Sequence, residues 1–349
     1  MGKYDKYVKP LRLWTELVRP SFRGKMADFS LLHDEKVQPE TPIWVETFYA
    51  YAPGSGVGVP GELPKIVEGR EVPGDGGQHS HRDYDELFLF FGSNPHDNTA
   101  LGGEVEFWLG DGDNAQKFIA REPTAEWVPR GVAHNPHLFT KVKDPKFPII
   151  EMVIALTPKY TMDPEATTHY PVPPAFSFDK IGQEQPGKGL YTKYVNKMPL
   201  SRTIEIQQLR GRASVPNLMF DDYVYRAPVW VEIFHVYAGG SGVGVPTRDM
   251  SEGMQHSQSY DELFLFIGTD PHDTLNLGGE VETWLGDEKF TLTKASSVYV
   301  PAGVPHNPQY FKRVDRPYLM VVIALVDNWK FFEGMKEKDR TSAPAAFRF

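Results

Sequence analysis

Residues 79–86 read HSHRDYDE, and residues 129–136, further along the chain, read PRGVAHNP. If the first segment begins in an extended strand, its two histidines point to the same side, because side chains alternate between the faces of a strand. The turn that follows can bring Glu86 to the start of the next strand, and the Pro-x-Gly turn can direct His134 toward the same cavity. The two segments therefore predict one interior site built from three imidazoles and a carboxylate.

The predicted site has four ligands, His79, His81, Glu86 and His134. Imidazole and carboxylate donors around an open interior suit a divalent transition metal such as Fe, Mn, Ni, Cu or Zn. A single buried histidine usually has a structural role, but four donors at two matched spacings are difficult to explain in that way. We therefore expect this group of residues to bind a metal ion.

The chain contains a second copy of both segments. Residues 256–262 read HSQSYDE and residues 301–308 read PAGVPHNP, while the stretch GSGVGVP stands unchanged at 54–60 and at 240–246. That stretch lacks the Gly-Lys-Ser/Thr ending of a phosphate-binding loop, so we interpret it as a turn. An internal repeat on this scale predicts two related folded units in one chain.

The two copies differ at one ligand position, where Gln258 replaces His81. The second set of candidate ligands is then His256, Gln258, Glu262 and His306. A glutamine carbonyl oxygen is a poorer donor than imidazole but can still coordinate a metal. We expect the second site to bind a metal with lower affinity. The alternative is a cavity held by hydrogen bonds, with the chemistry left to the first copy.

Apolar runs in each copy are short, rich in Val, Ile, Phe, Tyr and Trp, and bounded by turn residues, in keeping with 30 Pro and 31 Gly in the chain. Closely spaced strands without helical periodicity predict an all-β sandwich or barrel rather than a parallel α/β sheet. We expect short helices at 13–19 and 329–338. The strands predicted in the first copy are 44–51, 87–91, 105–109, 127–128 and 149–156.

The length of 349 residues agrees with two domains, at roughly 100 to 200 residues each. We place the boundary in 181–187, a polar stretch with glycine and proline that suits an exposed connection. The predicted N-terminal domain is 1–180, with the complete ligand set. The predicted C-terminal domain is 188–349, with the glutamine-substituted set.

Composition excludes several functional classes. With 46 acidic and 37 basic residues the formal net charge is -9, so neither nucleic acid nor an anionic membrane is an expected partner. The absence of cysteine excludes disulfides, thiolate zinc sites and a cysteine nucleophile. The N-terminal segment does not resemble a signal peptide, and no run of about 18 apolar residues occurs. We expect a soluble cytoplasmic protein with a small-molecule substrate.

The quoted segments resemble the two signatures of the cupin superfamily, a His-x-His followed by Glu and a Pro-x-Gly-x-x-His. Because both signatures occur twice, the whole chain resembles a bicupin. The resemblance implies two tandem double-stranded β-helix (jelly-roll) domains and metal ligation by His79, His81, Glu86 and His134. It also implies a homo-oligomer, since bicupins commonly pair subunits through exposed strand edges.

Two further residues are candidates for a role near the metal. Glu46 lies in an apolar strand, where a carboxylate is costly unless it is paired or close to a cation. It is a candidate general acid or base, and a salt bridge is the alternative interpretation. His137 follows His134 by three residues and faces Gln309 in the other copy. It is either a substrate or supporting residue, or a solvent-exposed one.

These features leave three functions open. The first choice is a dioxygenase-type oxidoreductase that acts on an enol, catechol or hydroxy acid, with one or two divalent metal ions. The second keeps the same site for decarboxylation, isomerisation or C–C lysis without oxygen. The third is a non-catalytic cupin that binds a metal or a small molecule.

Overall fold

Short runs of β-branched and aromatic residues form the strands of this chain. The computed structural model describes residues 2–15, 24–58, 65–67, 70–72, 79–111, 114–160, 184, 187–200, 217–221, 224–243 and 255–326. Two short 3-10 helices, Asp5–Tyr7 and Thr192–Tyr194, each precede a strand. The all-β prediction is therefore confirmed.

The strands of the N-terminal half are, in chain order, β1 (Val8–Pro10), β2 (Arg12–Leu13), β3 (Leu31–His33), β4 (Trp44–Ala50), β5 (Ser55–Val57), β6 (Lys65–Val67), β7 (Arg70–Val72), β8 (Glu86–Gly92), β9 (Gly103–Leu109), β10 (Gln116–Ala120), β11 (Thr124–Val128), β12 (His134–Val142) and β13 (Ile149–Ala155). Those that follow are β14 (Val195–Lys197), β15 (Leu218–Phe220), β16 (Trp230–Val236), β17 (Ser241–Val243), β18 (Glu262–Gly268), β19 (Asn276–Leu285), β20 (Glu288–Lys294), β21 (Ser296–Val300), β22 (His306–Val314) and β23 (Tyr318–Ala324).

The strands group into two compact units. The N-terminal unit comprises 12–94 and 99–197, and the C-terminal unit comprises 1–11, 95–98 and 198–349. The first eleven residues join the C-terminal unit because β1 pairs with β21, and β14 belongs to the N-terminal unit because it pairs with β11. The boundary proposed at 181–187 falls almost entirely outside the described residues and stays a prediction.

The main part of each unit consists of two antiparallel sheets, and β6 and β7 form a separate two-stranded sheet in the N-terminal unit. In the N-terminal unit a seven-stranded sheet has the order β14-β11-β8-β13-β4-β3-β2, and a four-stranded sheet has the order β10-β9-β12-β5. The C-terminal unit repeats this plan with β1-β21-β18-β23-β16-β15 and β17-β22-β19-β20. Non-sequential neighbours of this kind are typical of jelly rolls.

Strand register places the side chains of the large N-terminal sheet in rows across its interior face. We call Trp44, Glu86, Val128 and Ala155 the ligand row. The second row, two residues further along each strand, is Glu46, Phe88, Glu126 and Val153. The third row is Phe48, Phe90, Thr124 and Glu151. These rows bring carboxylates from four strands into one barrel interior.

Aromatic packing holds the N-terminal barrel around these rows. Phe90 stacks on Phe107 with ring centroids 5.1 Å apart, and Phe107 stacks on Phe118 at 5.5 Å. Phe90, Phe107 and Phe139 are fully buried, and each such side chain contributes about 1.5–3 kcal/mol to folding through its burial. A corresponding core in the C-terminal unit contains Phe266 and Phe311.

The two helices predicted from the sequence, at 13–19 and 329–338, lie mostly outside the described residues. Leu13 ends strand β2 rather than beginning a helix, and 16–19 lie outside the described residues. The helix expected at 329–338 also lies outside them. None of the described segments forms a helix with the length and apolar character that a membrane crossing requires.

Candidate metal centres

The four predicted N-terminal ligands converge inside the N-terminal barrel. Nε2 of His81 and Nε2 of His134 each lie 3.1 Å from Oε2 of Glu86. The donor atoms of His79, His81 and His134 lie within 4.8 Å of one another. All four side chains are buried, His79 the most exposed of them at 8 %. This arrangement supports the ligand assignment proposed from the sequence.

Backbone hydrogen bonds join the two signature segments. The amide of His134 donates to the carbonyl of His79 at 2.9 Å, and the amide of His79 donates back at 3.2 Å. The amide of Gly131, in the Pro-x-Gly turn, donates to the carbonyl of His81 at 2.6 Å. Segments fifty residues apart in sequence are therefore fixed side by side, and their imidazoles meet.

The outer ring nitrogens of the three histidines are each held by a neighbour. Nδ1 of His134 lies 3.3 Å from the carbonyl of Val132, and Nδ1 of His81 lies 2.8 Å from the hydroxyl of Tyr84. Partners of this kind fix the ring orientation and tautomer of metal-binding histidines. They leave Nε2 of both rings directed at the site.

Asn135 supports the third histidine. Its side-chain amide lies 3.2 Å from Nδ1 of His79. The two ends of an amide have the same shape, so the group can present either Nδ2 or Oδ1 to the imidazole. With Oδ1 there, Nδ1–H of His79 donates and Nε2 keeps its lone pair for a metal. Asn135 has φ 75, a left-handed conformation that asparagine tolerates better than most residues.

Gly58 supports Asn135 in its place. A Cβ atom added to Gly58, which has φ +63, would lie 2.7 Å from Cβ of Asn135. Only glycine combines this backbone conformation with so close an approach. The turn predicted at 54–60 is wrong at 55–57, which form strand β5, and 59–60 lie outside the described residues. Gly58, directly after that strand, lies against the residue that orients His79.

Buried atoms at this site lack ordinary hydrogen-bond partners within the described part of the chain. They include Nε2 of His134 and both carboxylate oxygens of Glu86. Burial lowers the pKa of His134, which favours neutral imidazole. Burial alone would raise the pKa of Glu86, but His81 and His134 hold that pKa far below its usual range. A neutral imidazole and an ionised carboxylate are the forms that bind a metal, so the residues fit one.

The C-terminal unit repeats the site with one substitution. Donor atoms of His256, Glu262 and His306 lie within 4.8 Å of one another, and Nε2 of His306 lies 2.9 Å from Oε2 of Glu262. The supporting contacts recur, since the Asn307 amide lies 3.1 Å from Nδ1 of His256. The prediction of one or two divalent transition metal ions is therefore confirmed by two matching donor clusters.

Gln258 occupies the place of His81 in this second cluster. Its Nε2 lies 3.1 Å from Nε2 of His256, and its Oε1 has no hydrogen-bond partner among the described residues. Rotating the amide presents Oε1 to the cluster. The C-terminal site can then offer a carbonyl oxygen where the N-terminal site offers an imidazole.

Glu46 does not belong to either cluster of metal donors. It lies in the second row, 3 % exposed, and accepts a short hydrogen bond from the hydroxyl of Ser30 at Oε1. The ligand row is two residues away, which corresponds to about 7 Å along a strand. The structure therefore places Glu46 inside the barrel beneath the site, in contact with Ser30.

Sequence reasoning did not single out Tyr160. Its hydroxyl lies 3.0 Å from Nε2 of His79, and its ring stacks on Trp44 with centroids 4.7 Å apart. It follows strand β13 and has no motif around it, so no sequence signal was available. This hydroxyl lies on the donor side of the cluster.

His137 is completely buried, so the solvent-exposed interpretation is wrong. It lies between Glu126 and Glu151, two carboxylates from other strands that the sequence analysis did not include. These two glutamates interrupt apolar strands, as Glu46 does. That interruption was the available sequence signal.

Comparisons with known proteins were made at the levels of sequence and structure. No protein-family model matches the chain, and neither does any curated protein sequence. Solved structures do match. A deletion mutant of Bacillus subtilis oxalate decarboxylase gives a TM-score of 0.57 at 10% identity, over 94% of this chain and 79% of that one. Lactobacillus farciminis oxalate decarboxylase in complex with formate gives 0.52 at 8% identity, over 94% and 88%. The similarity spans both units and establishes a shared tandem fold.

Proposed function

We propose, since this chain has the two-domain fold of a bicupin, that it is a metal-dependent enzyme that decarboxylates a small organic acid. The observation that carries the proposal is the buried cluster of His79, His81, Glu86 and His134. The solved structures of this fold that bear the name oxalate decarboxylase support decarboxylation over the dioxygenase reaction that we ranked first from the sequence.

The charge of the site favours an acidic substrate. Three neutral imidazoles and one carboxylate leave a bound divalent cation with a net positive charge, which attracts a carboxylate of the substrate. When bound, such an ion supplies Lewis-acid polarisation of the substrate oxygens. The supporting contacts of Tyr84, Asn135 and Val132 keep the ligand rings in place while the substrate binds.

Decarboxylation releases carbon dioxide and puts a proton on the carbon left behind. The chain therefore needs a group that holds this proton within the water-poor interior. We assign that role to Glu46, whose Oε1 is fixed by the hydroxyl of Ser30. The phenol of Tyr160 covers the His79 side of the cluster and is placed to contact the substrate.

The test is turnover of a panel of small mono- and dicarboxylic acids by protein loaded separately with Mn²⁺, Fe²⁺, Ni²⁺, Cu²⁺ or Zn²⁺. We expect carbon dioxide release without stoichiometric oxygen uptake. Stoichiometric oxygen uptake would favour the dioxygenase instead. If the metal-loaded protein turns over none of these acids, the alternative of a non-catalytic binding cupin is favoured.

Two variants locate the reaction within the chain. Glu46→Gln removes the proton-holding carboxyl and is expected to reduce turnover about 10²- to 10⁴-fold while metal binding is retained. Its matched control is Glu232→Gln, because Glu232 occupies the same position in the C-terminal unit, where it contacts Asn217 rather than a serine. Equal losses in both variants would contradict a special role for Glu46.

The predicted homo-oligomer remains part of this proposal. Light scattering of the purified protein tests it, and a monomer at micromolar concentration would contradict it.

A further inference from the structure

A second buried ionisable cluster lies in the N-terminal barrel beside the metal donors. It consists of Glu126, His137 and Glu151, each 0 % exposed, and we call it the Glu–His–Glu triad. Nδ1 of His137 lies 2.9 Å from Oε1 of Glu151, and Nε2 lies 3.5 Å from Oε2 of Glu126. The imidazole directs its two nitrogens at two different carboxylates. A metal site would need both carboxylates on the same side of the ring, so this is a proton-bearing arrangement.

The triad is assembled from three strands. Glu126 lies in the second row on β11, Glu151 lies in the third row on β13, and His137 comes from β12 of the facing sheet. Phenylalanines enclose the imidazole: its centroid lies 4.8 Å from that of Phe88 and 5.3 Å from that of Phe90. The cluster is thus closed off from water by the aromatic core.

Such a cluster cannot be fully ionised at low cost. Two carboxylates and one imidazolium would leave an excess negative charge in an apolar interior, which is strongly unfavourable. Burial raises the pKa of Glu126 to about 8. Burial alone would lower the pKa of His137, but the carboxylates of Glu151 and Glu126 raise it above its ordinary value. At neutral pH the triad therefore contains a neutral Glu126 and an imidazolium at His137.

The C-terminal unit has no such group at these positions. Val298 pairs with Phe264 as Glu126 pairs with Phe88, and Met320 pairs with Phe266 as Glu151 pairs with Phe90. The place of His137 is taken by Gln309, which donates to Asn307. The two copies thus differ at all three positions of the triad but at only one of the four ligand positions.

We propose that Glu126, His137 and Glu151 form a proton store that releases one proton from Glu126 when a divalent cation binds at the N-terminal site. The step is an acid dissociation: the O–H bond of the Glu126 carboxyl group breaks, its electron pair stays on the carboxylate, and the proton leaves to buffer. The new negative charge then balances part of the charge of the cation. Metal loading of the N-terminal unit is thereby coupled to one more proton than loading of the C-terminal unit, which lacks the triad.

Glu126 lies close to the N-terminal metal ligands but not in direct contact with them, because it stands in the neighbouring row of the barrel. Glu126 lies one row from Glu86, about 7 Å along the strands, and Phe88 separates the two groups by packing against both His134 and His137. A charge at this distance in a poorly polarisable interior acts strongly on a neighbouring acid.

The other strands around the triad contribute few charges to its interior side. Glu86 from β8 acts on both Glu126 and His137, and β4 contributes Glu46 in the second row. From β9 the residue facing His137 is Phe107. A cation bound at the N-terminal site therefore adds positive charge to this interior.

The experiment is calorimetric titration of metal-free protein with Mn²⁺ at pH 7 in two buffers of different ionisation enthalpy, which gives the protons released per ion bound. His306→Gln is included throughout to weaken the C-terminal site. We expect release to fall by about one proton when Glu126→Gln is added, since glutamine has no acidic proton. Glu104→Gln, a buried carboxylate that faces Arg121 and Lys141 instead, is the matched control and should leave the count unchanged.

A second measurement is spectroscopic. At pH 7 the infrared spectrum of metal-free wild-type protein should contain a C=O stretch of a protonated carboxylic acid that Glu126→Gln lacks, and this component should disappear on addition of Mn²⁺. An unchanged proton count in Glu126→Gln, or persistence of the Glu126 component in the loaded protein, overturns the proposal. Neither readout involves a substrate, so failure of the proposed decarboxylase activity would leave this inference standing.

Discussion

The hydroxyl of Tyr84 lies 2.8 Å from Nδ1 of His81, and the two rings stack with centroids 4.6 Å apart. Tyr84 lies in the turn between His81 and β8, so the segment 79–86 supplies three ligands and the group that orients one of them. In the tautomer with the proton on Nδ1, the phenol oxygen accepts from Nδ1–H, and Nε2 of His81 is available to a metal.

Tyr84→Phe should therefore weaken metal binding at the N-terminal site. The loss of one such supporting contact typically costs 10- to 100-fold in metal affinity. Competition titration against a chelator of known affinity measures the effect. Tyr260→Phe, the same change in the C-terminal unit, is the control and should leave the tighter of the two sites unchanged. An unaltered affinity in Tyr84→Phe would show that the hydroxyl does not orient His81.

Gly58→Ala should also weaken metal binding at the N-terminal site, through Asn135 and His79. The new methyl group would meet Asn135 at 2.7 Å, at a backbone angle of +63° that alanine adopts poorly. We expect a loss of about 1–3 kcal/mol in the free energy of unfolding, with weaker metal binding as His79 loses its partner. Denaturant unfolding and metal titration measure the two effects.

The control for this variant is Gly24→Ala. Gly24 also has a positive φ, +74, but nothing lies within 4 Å of an added Cβ. It should show the backbone strain without the loss of metal affinity. Equal metal affinities in Gly58→Ala and Gly24→Ala would show that Gly58 does not help to position Asn135.

The contribution of Glu126 to the stability of the metal-free protein should fall as pH rises from about 5 to 8. Glu126 has a pKa raised to about 8, so the folded protein holds a proton there that the unfolded chain gives up near its ordinary pKa. Stability from such a group is present below the unfolded pKa and is lost as pH rises through the folded one, with a slope of at most about 1.4 kcal/mol per pH unit.

Urea unfolding at a series of pH values in the presence of a chelator tests this dependence. In Glu126→Gln this falling contribution is removed, so stability between pH 5 and 6.5 should rise more steeply, or fall less steeply, with pH than in the wild-type protein. His33 and His134 act in the opposite sense to Glu126 in this range, because burial lowers the pKa of both imidazoles. Glu86 also acts in the opposite sense, because its pKa is depressed and its contribution is lost only as pH falls below about 4.5. Equal slopes in the two proteins would contradict the assignment of a neutral Glu126.

Exchanging the one ligand that differs should exchange the relative affinities of the two sites. Gln258→His gives the C-terminal unit the full set of imidazoles and should increase its affinity for Zn²⁺ or Mn²⁺. His81→Gln should lower the affinity of the N-terminal unit by a similar factor. Metal analysis and calorimetry provide the stoichiometry and the two binding constants. No change in either variant would mean that these positions do not coordinate the metal.

The sequence by itself determined the repeat, the all-β fold and the two sets of candidate metal ligands. His79 and His81 share a face because side chains alternate along an extended chain, a property of period two that needs no tertiary information. The match between 79–86 and 256–262 carried the same inference to the second unit.

Only the tertiary structure decided which side chains from distant strands meet. Glu126, His137 and Glu151 lie on three strands, and their contacts depend on the register between strands, which sequence spacing does not set. The same reason applies to Tyr160 beside His79 and to Ser30 beside Glu46. Local periodicity fixes the face on which a residue lies, but pairing between separated segments fixes its neighbours, and those neighbours give the buried groups their charge and their chemistry.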